Sequence, residues 1–406
     1  MVKYDLIVVG GGISGVAAAV SAAREGMKVL LIEKFGSLGG AMSNSLVFPF
    51  MGFTCGDKLL SDGIFTEMRN RKDAYGGTGY EEYKLVFDDM VSEAGVDVIF
   101  HSNAFEAVCE GRIIKSLKVA TKSGVMEFEA DFFIDASGDG ELIAMTGCDI
   151  QLGREEDGLC QPMTTCFRLC NVDYEIFKRD RAMIQEKYKE YREAGKIKNP
   201  RENILIFPNF APGVIHFNTT RVIKHNPVDP FEVSRAEMIA RKQIYEMVSF
   251  LKEVSKAFEN CVLVSSADHI GVRESRKLKG VHILTEQELK DCVKFDDCIA
   301  LGNYDIDIHN PSGTGTLIYH IEEGKYYQIP YRSLLPKEYD NMLVCGRCLS
   351  ATHVAHSAVR IMPICACMGE AAGVALAYAK KTDANAHTVD IQAVRQILRE
   401  KNAAVD

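Results

Sequence analysis

The sequence predicts an α/β protein, a parallel sheet with helices and a β-meander, interrupted by an inserted α+β domain. Three observations carry this. Apolar Tyr4 to Val9 runs into Gly10, Gly11 and Gly12, an alanine-rich helical stretch from Ile13 to Glu25 follows, and a second apolar strand, Lys28 to Ile32, ends in Glu33. That alternation is a βαβ unit with parallel strands. Short strands then recur around Asp97-Phe100, Arg112-Thr121, Val125-Ala130 and Phe132-Asp135, as in a meander. After Gly153 the texture turns charged and proline-punctuated, and from Asn341 the first texture returns.

The elements follow in order. Leu6 to Ala23 is an uncharged stretch of 18 residues, the length of a membrane span, but three glycines split it, so it reads as strand, turn and helix. Residues 36 to 55 have neither period, and so long a loop in a compact domain lines a site. Helices are expected over Leu59 to Asn70, Tyr80 to Ala94, Tyr174 to Ala194 and Phe231 to Phe258. In the last, Ala236, Ile239, Ala240, Ile244, Met247, Val248 and Leu251 form a core stripe. Met342 to Cys345 reads as a strand, and an Ala/Gly-rich helix begins at Pro363, a residue suited to a first turn.

At 406 residues the chain is long enough for two to three domains. The first is expected to be discontinuous, 1–155 with 335–406, and 156–334 to cap it. The 47 Lys and Arg against 56 Asp and Glu leave a net charge of −9 without basic runs, which disfavours nucleic acid, RNA modification and a basic membrane surface. No membrane span, signal or anchor is read. Thirteen scattered cysteines point to a reducing compartment, the cytoplasm. Cys345 and Cys348 form a C-x-x-C, and Cys160, Cys166 and Cys170 are spaced by six and four, unlike an iron–sulfur run. No metal ligand set is expected.

Chemistry concentrates at the glycines. Gly10, Gly12 and Gly15 stand in G-x-G-x-x-G spacing between strand and helix, with Glu33 ending the next strand. This is a dinucleotide site: tight turn, close backbone approach to a pyrophosphate, close helix packing, free N–H groups of Ile13 and Ser14 at a helix N-terminus, and a carboxylate for the ribose. Gly39, Gly40 and Ala41 after the second strand, and Asp135, Ala136, Ser137, Gly138 and Asp139 after the meander, add further close-approach positions.

With these segments the chain resembles the glutathione-reductase-like flavoproteins. The block Gly346-Arg347 through His353, His356, Arg360 and Pro363 to Gly369 and Gly373, with Gly271 to Arg276, His309-Asn310 and Ile329 to Ser333, resembles the bacterial FAD-dependent oxidoreductases related to the flavin subunit of heterodisulfide reductase. The resemblance implies FAD, held also by Lys34, Phe105, Gly346, Arg347 and Met362, and a helix N-terminus at the isoalloxazine edge, where its dipole favours the anionic reduced flavin. One departure is Arg347, where many flavoproteins place an Asp for the ribityl chain. No second complete glycine unit for a nicotinamide cofactor follows, so the electron donor or acceptor meets the flavin directly and its identity is open.

For the substrate, His353, His356 and Arg360 share one face if helical. By the resemblance His356 is the candidate base over the flavin, His353 its neighbour, and His309 with Asn310 a polar pair; Arg360 can serve as a carboxylate clamp or oxyanion partner, and Arg273 and Arg276 either clamp an anionic substrate or anchor domain to domain by ion pairs. The expected reaction is a two-electron hydride transfer with a small polar substrate. Oxidation of a sugar or other hydroxyl is preferred; reduction of an activated double bond and a non-catalytic electron-transfer subunit are the alternatives. A homo-oligomer is compatible with all three.

Overall fold

The computed structural model describes residues 3–76 and 79–406, without the side chains of 208–210. Its main sheet has seven strands. Asp97–Ile99, Val29–Ile32, Lys3–Val9, Gly124–Asp135, Ile113–Thr121 and Asn103–Glu110 lie in that order, and Met342–Val344 pairs with the end of Gly124–Asp135. The first three strands and Met342–Val344 run parallel, and the last two are antiparallel. Gly124–Asp135 belongs to both layers, because its second half pairs in parallel with Lys3–Val9 and its first half antiparallel with Ile113–Thr121.

Two strand expectations need correction. Gly124–Asp135 is one strand where the sequence pattern breaks at Asp131; that carboxylate reaches Lys3 at 2.7 Å and Lys380 at 2.6 Å on the surface, so the ladder tolerates it. Asn103–Glu110 escapes the pattern because it is an edge strand with little buried surface.

The Ile13–Arg24 helix packs against Met362–Lys381, which starts one residue before the expected Pro363. Contact is nearly backbone to backbone: a Cβ on Gly369 would lie 2.1 Å from the Ser14 carbonyl oxygen, and one on Gly373 2.3 Å from that of Ala18. Met362–Lys381 is long and apolar enough to cross a membrane, yet 89% of its apolar window is buried within the protein. Composition alone does not separate these cases.

The inserted part has a four-stranded antiparallel sheet, Ile206–Ala211, Val214–Phe217, Phe167–Cys170 and Val262–Ser266. Helices Tyr174–Glu193 and Pro230–Val254 share its apolar core of Phe167, Phe177, Tyr188, Phe217, Ile244 and Leu251. From Leu278 onward, however, most buried apolar side chains join the core of the main sheet, and Cys298 and Leu301 pack with Leu60 in a small cluster of their own. The expected boundary at 334/335 therefore does not coincide with the division between the two cores.

Candidate functional site

At the end of Lys3–Val9 the chain turns through Gly10 at φ 100° and enters the helix at Gly12. A Cβ on Gly15 would sit 1.9 Å from the Gly10 carbonyl oxygen, so only hydrogen allows this helix to start so close to the strand. Above Gly12 the space is open. A Cβ there would meet only the Gly40 Cα at 3.9 Å, no side chain caps the helix, and the Ser14 hydroxyl is buried without a partner. An open cradle beneath uncapped N–H groups suits a pyrophosphate. Glu33 stands beside it, its carboxylate aligned by the N–H of Gly11 at 2.6 Å and of Phe35 at 2.8 Å. The Gly12–Gly39 bridge brings Gly40 and Ala41 to the same cradle.

The other expected cofactor positions fall into two groups. Asp135 accepts from the Ser137 N–H and hydroxyl and the Ile143 N–H, so its carboxylate organises the turn that carries Ala136 and Gly138. The Phe105 side chain is exposed on an edge strand, at a register shift between Ala104 and Glu106. Arg347 is explained by the fold. It pairs with Asp139 at 2.9 Å and donates to Ser275 at 3.1 Å, while Lys34 reaches Asp139 at 3.6 Å and Glu141 at 2.8 Å. Burial raises the Asp139 carboxyl, but Arg347 and Lys34 outweigh it and keep Asp139 ionised. Gly346 lies against Ser14, and Met362 opens its helix after Ile361, which supplies no side-chain cap.

His353–Val359 is helical, as the spacing requires, but its histidines face different groups. His356 is fully buried, donates from Nε2 to the Arg347 carbonyl at 2.7 Å, and leaves Nδ1 without a partner. Burial, then Lys277, drives its basicity well below the usual range. That geometry is a strut under residue 347, not a base titrating near neutrality. His353 holds Glu274 through Nδ1 at 2.8 Å and lines a cavity of about 600 Å³. Glu274 is also paired with Lys277, both fully buried. Despite its burial, hydrogen bonding to His353 and the Lys277 charge bring Glu274 down to about 2. Asn310 bonds Ser312 and Thr314 and closes its own turn.

The cationic centre lies elsewhere. Arg273, from a loop, feels the charges of Arg201, Arg221 and Arg360, the last following the histidine helix, and Asp307 acts on Arg273, Arg221 and Arg360 alike. Burial, then the charges of Arg201, Arg360 and Arg221, pulls Arg273 down to about 9. His309 accepts from Arg221 at 3.1 Å on Nδ1 and faces Asp307 at 3.4 Å with Nε2; burial and Arg273 lower it to about 3, so it is neutral. The Tyr304 hydroxyl donates to Asp307 at 3.2 Å. Tyr304 also packs against Gly52 of the long loop, opposite Ile361. Arg201, Arg221, Tyr304, Asp307 and Gln161 escaped the sequence reading, because they are spread over separate segments with no local motif; Glu274 lay within the Gly271 to Arg276 block but was given no role. The C-x-x-C is inert: burial pushes Cys345 up to about 12 and Cys348 further still, so neither offers a thiolate.

A glycine cradle with an aligned carboxylate, a second glycine turn and a third contact at a core-helix N-terminus define a dinucleotide-binding flavoprotein. The chain belongs to the FAD dependent oxidoreductase family, whose model it matches over residues 5–398, and FAD is its cofactor. Over 157 residues, 34% of this chain and 40% of the relative, it is 29% identical to a digeranylgeranylglycerophospholipid reductase of Picrophilus torridus. Over 45 residues, 11% of this chain and 9% of the relative, it is 55% identical to a dihydrolipoamide dehydrogenase of Chaetomium thermophilum. The chain spans less than half the length of these curated relatives. A geranylgeranyl bacteriochlorophyll reductase-like protein from Thermoplasma acidophilum shares the fold, with a TM-score of 0.50 at 14% identity over 98% of this chain and 84% of that one.

Proposed function

We propose that the protein reduces a small carboxylate-bearing substrate at a double bond conjugated to the carboxylate. One observation carries this reading: Arg273 and Arg360 are half-buried with no ion pair among the described residues, and Arg360 Nε and the neighbouring Gln161 Nε2 are buried atoms without a partner. Buried donors without acceptors fit an anion. FAD, when bound and first reduced by an electron donor that meets it directly, would supply the hydride. Arg273 and Arg360 orient the carboxylate and stabilise the negative charge that builds on it as the double bond is consumed. Tyr304, its hydroxyl pushed up to about 12 by burial and Asp307, is the neutral acid of the cluster and holds the accompanying proton at Oη.

Hydroxyl oxidation is the weaker reading: it needs a base, burial strips basicity from His309 and His356, and only His353, held through Nδ1 by Glu274, is left among the candidate histidines. The thirteen free cysteines fit a reducing compartment, and we place the protein in the cytoplasm. The test mixes anaerobically reduced holoenzyme with α,β-unsaturated carboxylates, and oxidised holoenzyme with sugars and alcohols. Reoxidation by the enoates is expected, slowed about 10²-fold or more by Arg360→Gln. Bleaching by neutral hydroxyl compounds alone would overturn the reading.

A further inference from the structure

The arginine cluster holds more charge than one carboxylate matches. Arg221 pairs with Glu202 at 2.9 Å, and its fork is further used by the Gly315 carbonyl, His309 and Thr316. That guanidinium is neutralised. Arg201, Arg273 and Arg360 form no ion pair among the described residues; their hydrogen bonds go to neutral groups, Asn203, Pro162, Thr164 and Gln161. The carboxylate facing Arg273 and Arg360 is Asp307, since Glu274 is matched by Lys277 and His309 is uncharged, while Glu202, which faces Arg201, is matched by Arg221. Three cations against one carboxylate leave a surplus of two; Arg273 and Arg360 are half-buried, and Arg201 is only 5% exposed. Buried charge without a partner is costly, so such a surplus is built for a ligand.

The free donors also fall on two sides. Arg360 Nε and Gln161 Nε2 belong to the clamp described above, whereas Arg201 Nη1 and Arg221 Nε, buried and unpartnered, come from the inserted part; only Arg201 is without a carboxylate of its own. We infer that the substrate is a dianion, with one carboxylate on Arg273 and Arg360 and a second acidic group, carboxylate or phosphate, on Arg201. This rests on the carboxylate reading above and assigns Arg201 the choice between singly and doubly charged substrates. The clamp alone would accept either. Without a second anion, Arg201 would stay buried and unmatched in the complex, which penalises singly charged ligands.

The experiment measures dissociation constants on oxidised holoenzyme from the flavin absorbance change. The probes are linear dicarboxylates of four to six carbons, their monoamides, and 3-phosphonopropanoate for the phosphate arm. A dianion should bind about 10²-fold more tightly than its monoamide, and Arg201→Gln should erase that ratio by weakening the dianion alone. Arg201→Lys, which keeps the charge, should retain part of the ratio and serves if the glutamine variant does not fold. Whichever of dicarboxylate and phosphonate binds better identifies the second group. Equal affinity for dianion and monoamide, or a ratio unchanged in Arg201→Gln, would overturn the inference while leaving the carboxylate reading intact. Absence of any response to every carboxylate would remove both.

Discussion

Replacing Gly369 by Ala tests whether the cofactor cradle is set by the packing of two helices. In an isolated helix interior the change would stabilise by about 1 kcal/mol, since Ala is the better helix former. Here the new methyl would lie 2.1 Å from the Ser14 carbonyl oxygen, 2.9 Å from its carbon and 3.0 Å from the Ala17 Cβ. Neither neighbouring backbone atom can turn aside as a side chain does, so the helices must separate by about 1 Å. Overpacking of this kind costs about 1–3 kcal/mol and sometimes more, and the backbone contact places it at the upper end, for a net loss of about 2 kcal/mol. The displaced residue is Ser14, in the first turn beneath the open cradle, and it also touches Gly346. FAD affinity should therefore fall together with stability. Urea unfolding of the apoprotein and fluorescence titration with FAD measure the two separately. A variant as stable as the wild type, or more so, with unchanged FAD affinity would refute the packing argument.

Two further outcomes are expected. His356→Ala should lower stability and flavin retention by removing the bond to the Arg347 carbonyl, while the pH profile of the holoenzyme's flavin half-reactions stays that of the wild type; loss of a titration near neutrality in the variant would restore His356 as a base. Glu370, buried in Met362–Lys381 beside a cavity of about 230 Å³ and bonded to the Ile64 N–H at 3.2 Å, is raised by burial from 4.5 to about 7. A raised folded-state value favours folding below pH 4.5 and loses that advantage as pH climbs to 7. Glu370→Gln should thus gain stability over the wild type at pH 8, by at most about 3 kcal/mol, and show none of that gain at pH 4; equal differences at both pH values in urea melts would contradict it.

The βαβ unit, the glycine cradle, Glu33 and the Met362–Lys381 helix were legible because each is written in contiguous residues: a strand's apolar run, a turn only glycine can make, a 3.6-residue stripe. Spacing likewise put His353, His356 and Arg360 on one short helix and its end. It could not say what they face, since that is set by Arg347, Glu274 and Gln161, which arrive from other segments. The sheet of the inserted part was missed for a related reason: Phe167–Cys170 and Val214–Phe217 are four residues each, too short for a period.

The sequence by itself therefore determined the cofactor-binding half, whose backbone geometry follows from local residue types. Only the tertiary structure assembled the arginine cluster that we propose as the substrate centre. Arg201, Arg221, Arg273, Asp307 and Arg360 are scattered over 160 positions, and their charges matter only once folding removes the water between them.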